Sequence, residues 1–115
     1  MVYDRASGLM WQQSGSDNRM DYKNAQTYVK NLNCAEFAGY NDWRFPTLEE
    51  AMSLMEPTKN NYGLYIDSVF DTKHTYVYTS DLKRASHAWI VKFHYGYCSF
   101  YKNRFRYDQY VRAVR

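Results

Sequence analysis

Short apolar clusters open the chain. Val2 and Tyr3, the Ser7-Gly8 pair and then Leu9-Met10-Trp11 predict a strand with a turn over residues 2–12. Residues 13–19 are polar and predict a loop. Tyr22, Ala25, Val29 and Leu32 then recur at helical spacing behind Asp21, a suitable N-cap, which predicts a helix over 21–32. Residues 38–47 show no period and predict a loop. Thr47-Leu48-Glu49-Glu50 has the form of a capping box, in which the Thr hydroxyl takes the third amide and the Glu reaches back. Leu48, Ala51, Met52 and Met55 line one face of the helix it starts, and Pro57 ends that helix.

A long connection, 58–74, separates the helices from short strands. Residues 76–79 predict one strand and 88–93 a second, with Trp89, Val91 and Phe93 inward and Ile90 and Lys92 outward. Gly96 marks a hairpin turn, 97–101 return, and 110–114 predict the last strand. Helices followed by antiparallel strands give an α+β class: two helices packed on short antiparallel strands. With 115 residues and no linker, repeat or biased tract, residues 1–115 are expected to form one domain.

Composition changes the picture at one point. Tyrosine supplies 13 residues against 6 Phe and 3 Trp, more than a core of this size needs. Its ring buries while its hydroxyl stays wet, so the surplus is expected partly on the surface, in recognition. A net charge of +3 is too small to suggest a nucleic-acid partner. No apolar run has the roughly 20 residues of a membrane span, and no secretory leader follows Met1, so neither membrane insertion nor Sec export is expected of this chain. Cys34 and Cys98 form one disulfide or stay two free thiols; the sequence leaves both open.

Gly8-Leu9-Met10-Trp11-Gln12, Ala38-Gly39-Tyr40-Asn41-Asp42-Trp43-Arg44-Phe45-Pro46-Thr47, Tyr78-Thr79-Ser80, Ala88-Trp89 and Tyr110-Val111-Arg112-Ala113-Val114-Arg115 occur in this order. Together they resemble the Lcl-type domain, named for the C-terminal domain of a collagen-like bacterial adhesin. The Gly39–Thr47 block is the most specific piece. The resemblance spans nearly the whole chain and implies a C-type lectin-like fold. There are departures: the family often has Cys where this chain has Ala113, so no disulfide joins Cys34 to that position, and Tyr78 stands where the family often has Trp.

A subset of such domains are variable proteins of diversity-generating retroelements, in which adenine-directed mutagenesis rewrites Asn codons in the C-terminal segment. In residues 94–110, every position except Lys102 and Gln109 is reachable from an Asn codon that way. Many residue types pass that test. The bias toward Tyr, His, Asp, Ser and Asn is more telling. The resemblance thus implies a hypervariable ligand-binding surface, displayed on a cell or virus particle, for a protein or glycan ligand.

The expected surface comprises Ile90, Lys92, His94, Tyr95, Tyr97, Ser99, Tyr101, Asn103, Arg104, Phe105, Arg106, Tyr107 and Asp108, with Cys98 and Phe100 as doubtful members that alternation turns inward. Tyr rings give rigid contact area and Arg, Asn, Ser and His adaptable polar contacts, the chemistry of an antibody-like paratope. The bland alternative is a solvated strand face. Trp11, Trp43 and Trp89 are expected in the core, and Asp42 and Arg44 in a buried polar network that holds their loop. Six to eight clustered oxygens for calcium are missing, as is any Cys/His set with zinc spacing, so no metal or other cofactor is expected. His74, His87 and His94 have no motif partners, and no enzyme activity is expected. Two other readings stand beside this one. A fixed adhesin module would hold an anionic glycan through Lys92, Arg104, Arg106 and Arg112. A formylglycine-generating type of oxidase would use Cys34 and Cys98, although Cys98 lies in the segment that looks diversified.

Overall fold

Both predicted helices form, for the reasons their first residues give. The computed structural model describes residues 1–70, 76–84, 87–101 and 109–115. Helix α1, Tyr22–Cys34, starts where the Asp21 carboxylate accepts a 2.7 Å hydrogen bond from Asn24 N. Helix α2, Leu48–Ser53, starts at the predicted capping box: Thr47 Oγ1 accepts from Glu50 N at 3.1 Å and Glu50 Oε1 accepts from Thr47 N at 2.9 Å. The Leu48 amide also donates to Asp81 Oδ2 at 2.6 Å, a long-range anchor with no local signature. Beyond Ser53 the chain turns on tighter bonds, from Leu54 N to Ala51 O and from Met55 N to Met52 O, so the helix stops short of Pro57.

Strands β1, Val2–Tyr3, and β2, Met10–Trp11, pair antiparallel around a turn held by Asp4. Strands β3, Tyr76–Arg84, β4, His87–Lys92, and β5, Tyr97–Tyr101, form a second antiparallel sheet in the order β3-β4-β5. β3 runs past its predicted end at 79, and its register shifts between Tyr78 and Leu82. In that stretch Ser80 N bonds Pro46 O at 2.8 Å.

The core lies on both faces of this sheet. The cross-strand pair Val77–Val91 joins Trp11, Ala51, Leu64, Ile66, Phe70, Phe93 and Val114. The next pair, Tyr78–Ile90, joins Tyr22, Ala25 and Val111 on the other face. Helix α1 therefore covers one face, and α2 with the 64–70 loop covers the other.

The predicted last strand is extended but makes no regular ladder. Its partners are scattered: Gln109 bridges Met20, Tyr110 bridges Val77, and Val114 bridges both Trp11 and Arg44. The segment works as a strap that ties four separate stretches together. Its side chains at Val111, Arg112, Ala113 and Val114 are all buried.

Candidate functional site

The β4–β5 hairpin carries the described part of the expected surface. Its strands pair in register, Val91 with Cys98 and Lys92 with Tyr97. The turn closes with Gly96 N donating to Lys92 O at 2.9 Å. Gly96 has φ +84°, a backbone that residues with a Cβ rarely adopt. A Cβ there would also meet the Tyr65 ring at 3.0 Å. Tyr65 N donates to Phe93 O at 2.7 Å, and Phe93 is buried in the core. The tip is thus supported from below by a loop and from behind by the core.

On this support stand exposed rings. Tyr95 is 55% exposed and Tyr97 51%. Their rings stack, with centroids 5.7 Å apart and planes within 11°. The His94 ring lies 3.9 Å from that of Tyr95. Lys92 Nζ sits 5.7 Å from the Tyr95 centroid and 5.5 Å from the Tyr97 centroid, a cation–π arrangement that follows from Lys92 lying directly across the strand pair from Tyr97. The result is an aromatic platform with an ammonium group against it.

Three expectations for β4 need correction. Ile90, expected outward, is 1% exposed and packs with Tyr22, Ala25, Tyr78 and Val111. Lys92, also expected outward, is only 8% exposed: its stem is covered and its ammonium lies against the tyrosine rings. Trp89, expected in the core, is half-buried. For Ile90 and Lys92 the cause is shared: β4 is the central strand of its sheet and both its faces are covered, so alternation there separates two cores and not core from solvent. Val91 and Phe93 are buried as expected.

His94 and Ser99 are half-exposed, and Cys98 packs against the core, the inward turn that alternation allowed. Tyr101 enters as the last backbone position of β5. Asn103, Arg104, Phe105, Arg106, Tyr107 and Asp108 lie outside the described residues, as does His74.

Sequence reasoning missed Lys59 and Tyr65. Lys59 Nζ lies 5.6 Å from the centroid of the half-buried Tyr65 ring, the same ring that underlies Gly96. The available signal was the length of the 58–74 connection, since loops that long in a compact domain are usually functional.

The remaining candidates are structural. Trp11 and Trp43 are buried, and the Trp43 indole donates to Phe37 O at 2.9 Å, so neither is an open stacking platform. Asp42 and Arg44 do hold their loop, but on the surface: Asp42 pairs with Arg115, and Arg44 with Glu50 through two hydrogen bonds of 2.6 and 2.8 Å. The Arg44 guanidinium and the Thr47 amide hold the Glu50 carboxyl down at about 2. Arg115 likewise holds the Asp42 carboxyl below its usual range. The expected burial of this network fails: the side chains of Asp42 and Arg44 are 59% and 46% exposed.

Arg112 is the clearest departure among the cations. It is 1% exposed, its guanidinium donates to Gln12 O at 2.7 Å and to Gln13 O, and it lies 4.7 Å from the Phe70 ring centroid. It is therefore a strut and not a surface contact for a polyanion.

Cys34 and Cys98 are free thiols, Cys34 exposed at the end of α1. Among the described residues no group of three or more His, Cys, Asp or Glu is placed to hold a metal ion, and no helix is long and apolar enough to cross a membrane. Among the described residues, one surface cleft of about 410 Å³ and another of about 320 Å³ are lined by residues from the first 70 positions.

The family model described as the Lcl C-terminal domain matches residues 1–115, the whole chain, and the chain belongs to that family. No curated protein matches it.

Proposed function

We propose that this Lcl C-terminal domain is a ligand-binding module without catalytic activity, the variable protein of a diversity-generating retroelement, on a C-type lectin-like scaffold. The observation that carries the binding reading is the exposed His94–Tyr95–Tyr97 platform, whose side chains belong to neither core cluster while the backbone beneath them is pinned at Phe93, Gly96 and Tyr65. A surface built this way changes its chemistry without changing its shape.

The ligand on this reading is a protein, and one displayed on a cell or virus surface would be the natural target. Sugar rings stack on open aromatic faces. Tyr95 already has a stacked tyrosine, a close histidine and an ammonium group against its ring. The hydroxyl and the exposed part of so crowded a ring suit backbone amides and side chains. The fixed-adhesin alternative loses Arg112, which is buried, and most of Lys92. The oxidase alternative gains nothing from a Cys98 packed on the core.

The test is the DNA that flanks the coding sequence. A near-copy of the codons for 94–110, richer in Asn on translation and beside a reverse transcriptase gene, is the expected finding. A flank with neither would overturn the retroelement reading and leave a fixed binding module.

A further inference from the structure

The hairpin tip has a neighbour that lies outside the segment read as variable. Tyr65 underlies Gly96, its amide holds Phe93 O at 2.7 Å, and Lys59 Nζ sits 5.6 Å from its ring centroid. Lys59 is exposed and makes no ion pair among the described residues. Tyr65 is half-buried, so one part of its ring supports the turn and another faces out. Neither residue lies within 94–110, so rewriting that segment leaves both in place.

We propose that Lys59 and Tyr65 form a constant rim of the binding surface, contiguous with the hairpin tip, and that the partner seated there is a protein segment presenting a carboxylate to Lys59. The inference rests on the binding reading above. Charge complementarity selects the occupant. The patch holds two ammonium groups, Lys59 and Lys92, set against three tyrosine rings, Tyr65, Tyr95 and Tyr97. Lys92 is largely covered, which leaves Lys59 as the accessible cation. Cation–π contact with Tyr65 holds the ammonium in position and limits the side-chain entropy lost when a carboxylate binds. The rim would thus give every variant the same docking charge, while positions 94, 95 and 97 select among acidic partners.

The experiment uses the whole chain and a random dodecapeptide library displayed on phage. The probe is the most enriched peptide, synthesised and titrated by fluorescence anisotropy against the wild type, Lys59→Glu and Tyr97→Ser, with a heparin fragment as a second probe. Thermal melts of each variant confirm folding. The enriched peptides should carry Asp or Glu, and Lys59→Glu should weaken binding roughly tenfold, mainly through a slower association rate. Loss on Tyr97→Ser with no change on Lys59→Glu overturns the rim and leaves the binding surface standing. Indifference to both variants overturns the binding surface itself. Lys59-dependent binding of heparin with no peptide enriched overturns the protein partner in favour of an anionic glycan.

Discussion

The hairpin tip at 94–97 and the strap at 109–115 stand on either side of the same stretch of chain, and they are built in opposite ways. The strap buries Gln109 and the side chains from Val111 to Val114, and spends its backbone bonds on distant stretches: Gln12 N takes Ala113 O, Ser16 N takes Val111 O, Arg44 N takes Val114 O and Tyr78 N takes Tyr110 O. The tip exposes Tyr95 and Tyr97 and takes its support through backbone and glycine. Side-chain identity matters at the strap's buried positions, from Val111 to Val114. In the tip it matters at Gly96 and just behind it, at Phe93. The lesson is that tolerance to change is local, and ends sharply at a residue whose side chain bears load.

The strap gives the largest expected effect. Arg112→Ala should destabilise the protein by roughly 3–5 kcal/mol, because it strips a charged donor from the buried Gln12 carbonyl and the part-buried Gln13 carbonyl, at about 1.5–3 kcal/mol for each such bond. Urea denaturation measures it. Both bonds leave one nitrogen, Nη1, so Arg112→Lys should recover part of the loss but not the guanidinium's contact with the Phe70 ring. A loss below about 1 kcal/mol, the ordinary range for a surface position, would put Arg112 on the surface and erase the contrast.

Gly96 sharpens the comparison within the tip. Gly96→Ala combines a positive φ with a Cβ at 3.0 Å from the Tyr65 ring, and should cost about 1–3 kcal/mol. Gly96 is reachable from an Asn codon like its neighbours, so reachability alone would leave it free to vary. On the proposed reading, its positive φ and the Tyr65 ring would hold it constant. A melt unchanged by the substitution would mean that Tyr65 yields and the tip is not fixed from below.

Much of the scaffold was legible because its signals are local. The Asp21 cap, the Thr47–Glu50 box and the Gly96 turn each depend on a few consecutive residues, and each formed where the pattern put it. What failed was long-range. Alternation along β4 identifies two faces but not what covers them, so Ile90 was placed outward when α1 in fact packs over it. Arg112 reads as a surface cation until Gln12 and Gln13 are brought to it from the other end of the chain. The exposure of Tyr95 and Tyr97 was legible from tyrosine density. Their Lys59–Tyr65 neighbour was not, because nothing in residues 59–65 announces contact with Phe93 and Gly96.

The smallest expected effect on stability is the most informative about function. Tyr97→Ser should change the unfolding free energy by less than about 1 kcal/mol, the usual range for exposed positions. Tyr97 is half-exposed, belongs to neither core cluster, and keeps its backbone pairing with Lys92 whatever side chain it carries. It does lose the stack with Tyr95 and the contact with Lys92 Nζ. At an exposed site the ring pair and the cation contact are worth about 0.5 kcal/mol each, about 1 kcal/mol together, which sets the bound. Binding should respond far more, by about 2 kcal/mol or more if the ring is a central anchor. Denaturation and peptide titration of the same variant therefore give two numbers whose ratio decides the matter. A stability loss that matches the binding loss would make Tyr97 a packing residue, and the tip would then resemble the strap it is contrasted with. A large binding loss on an unshifted melt would separate recognition from folding at the level of one side chain.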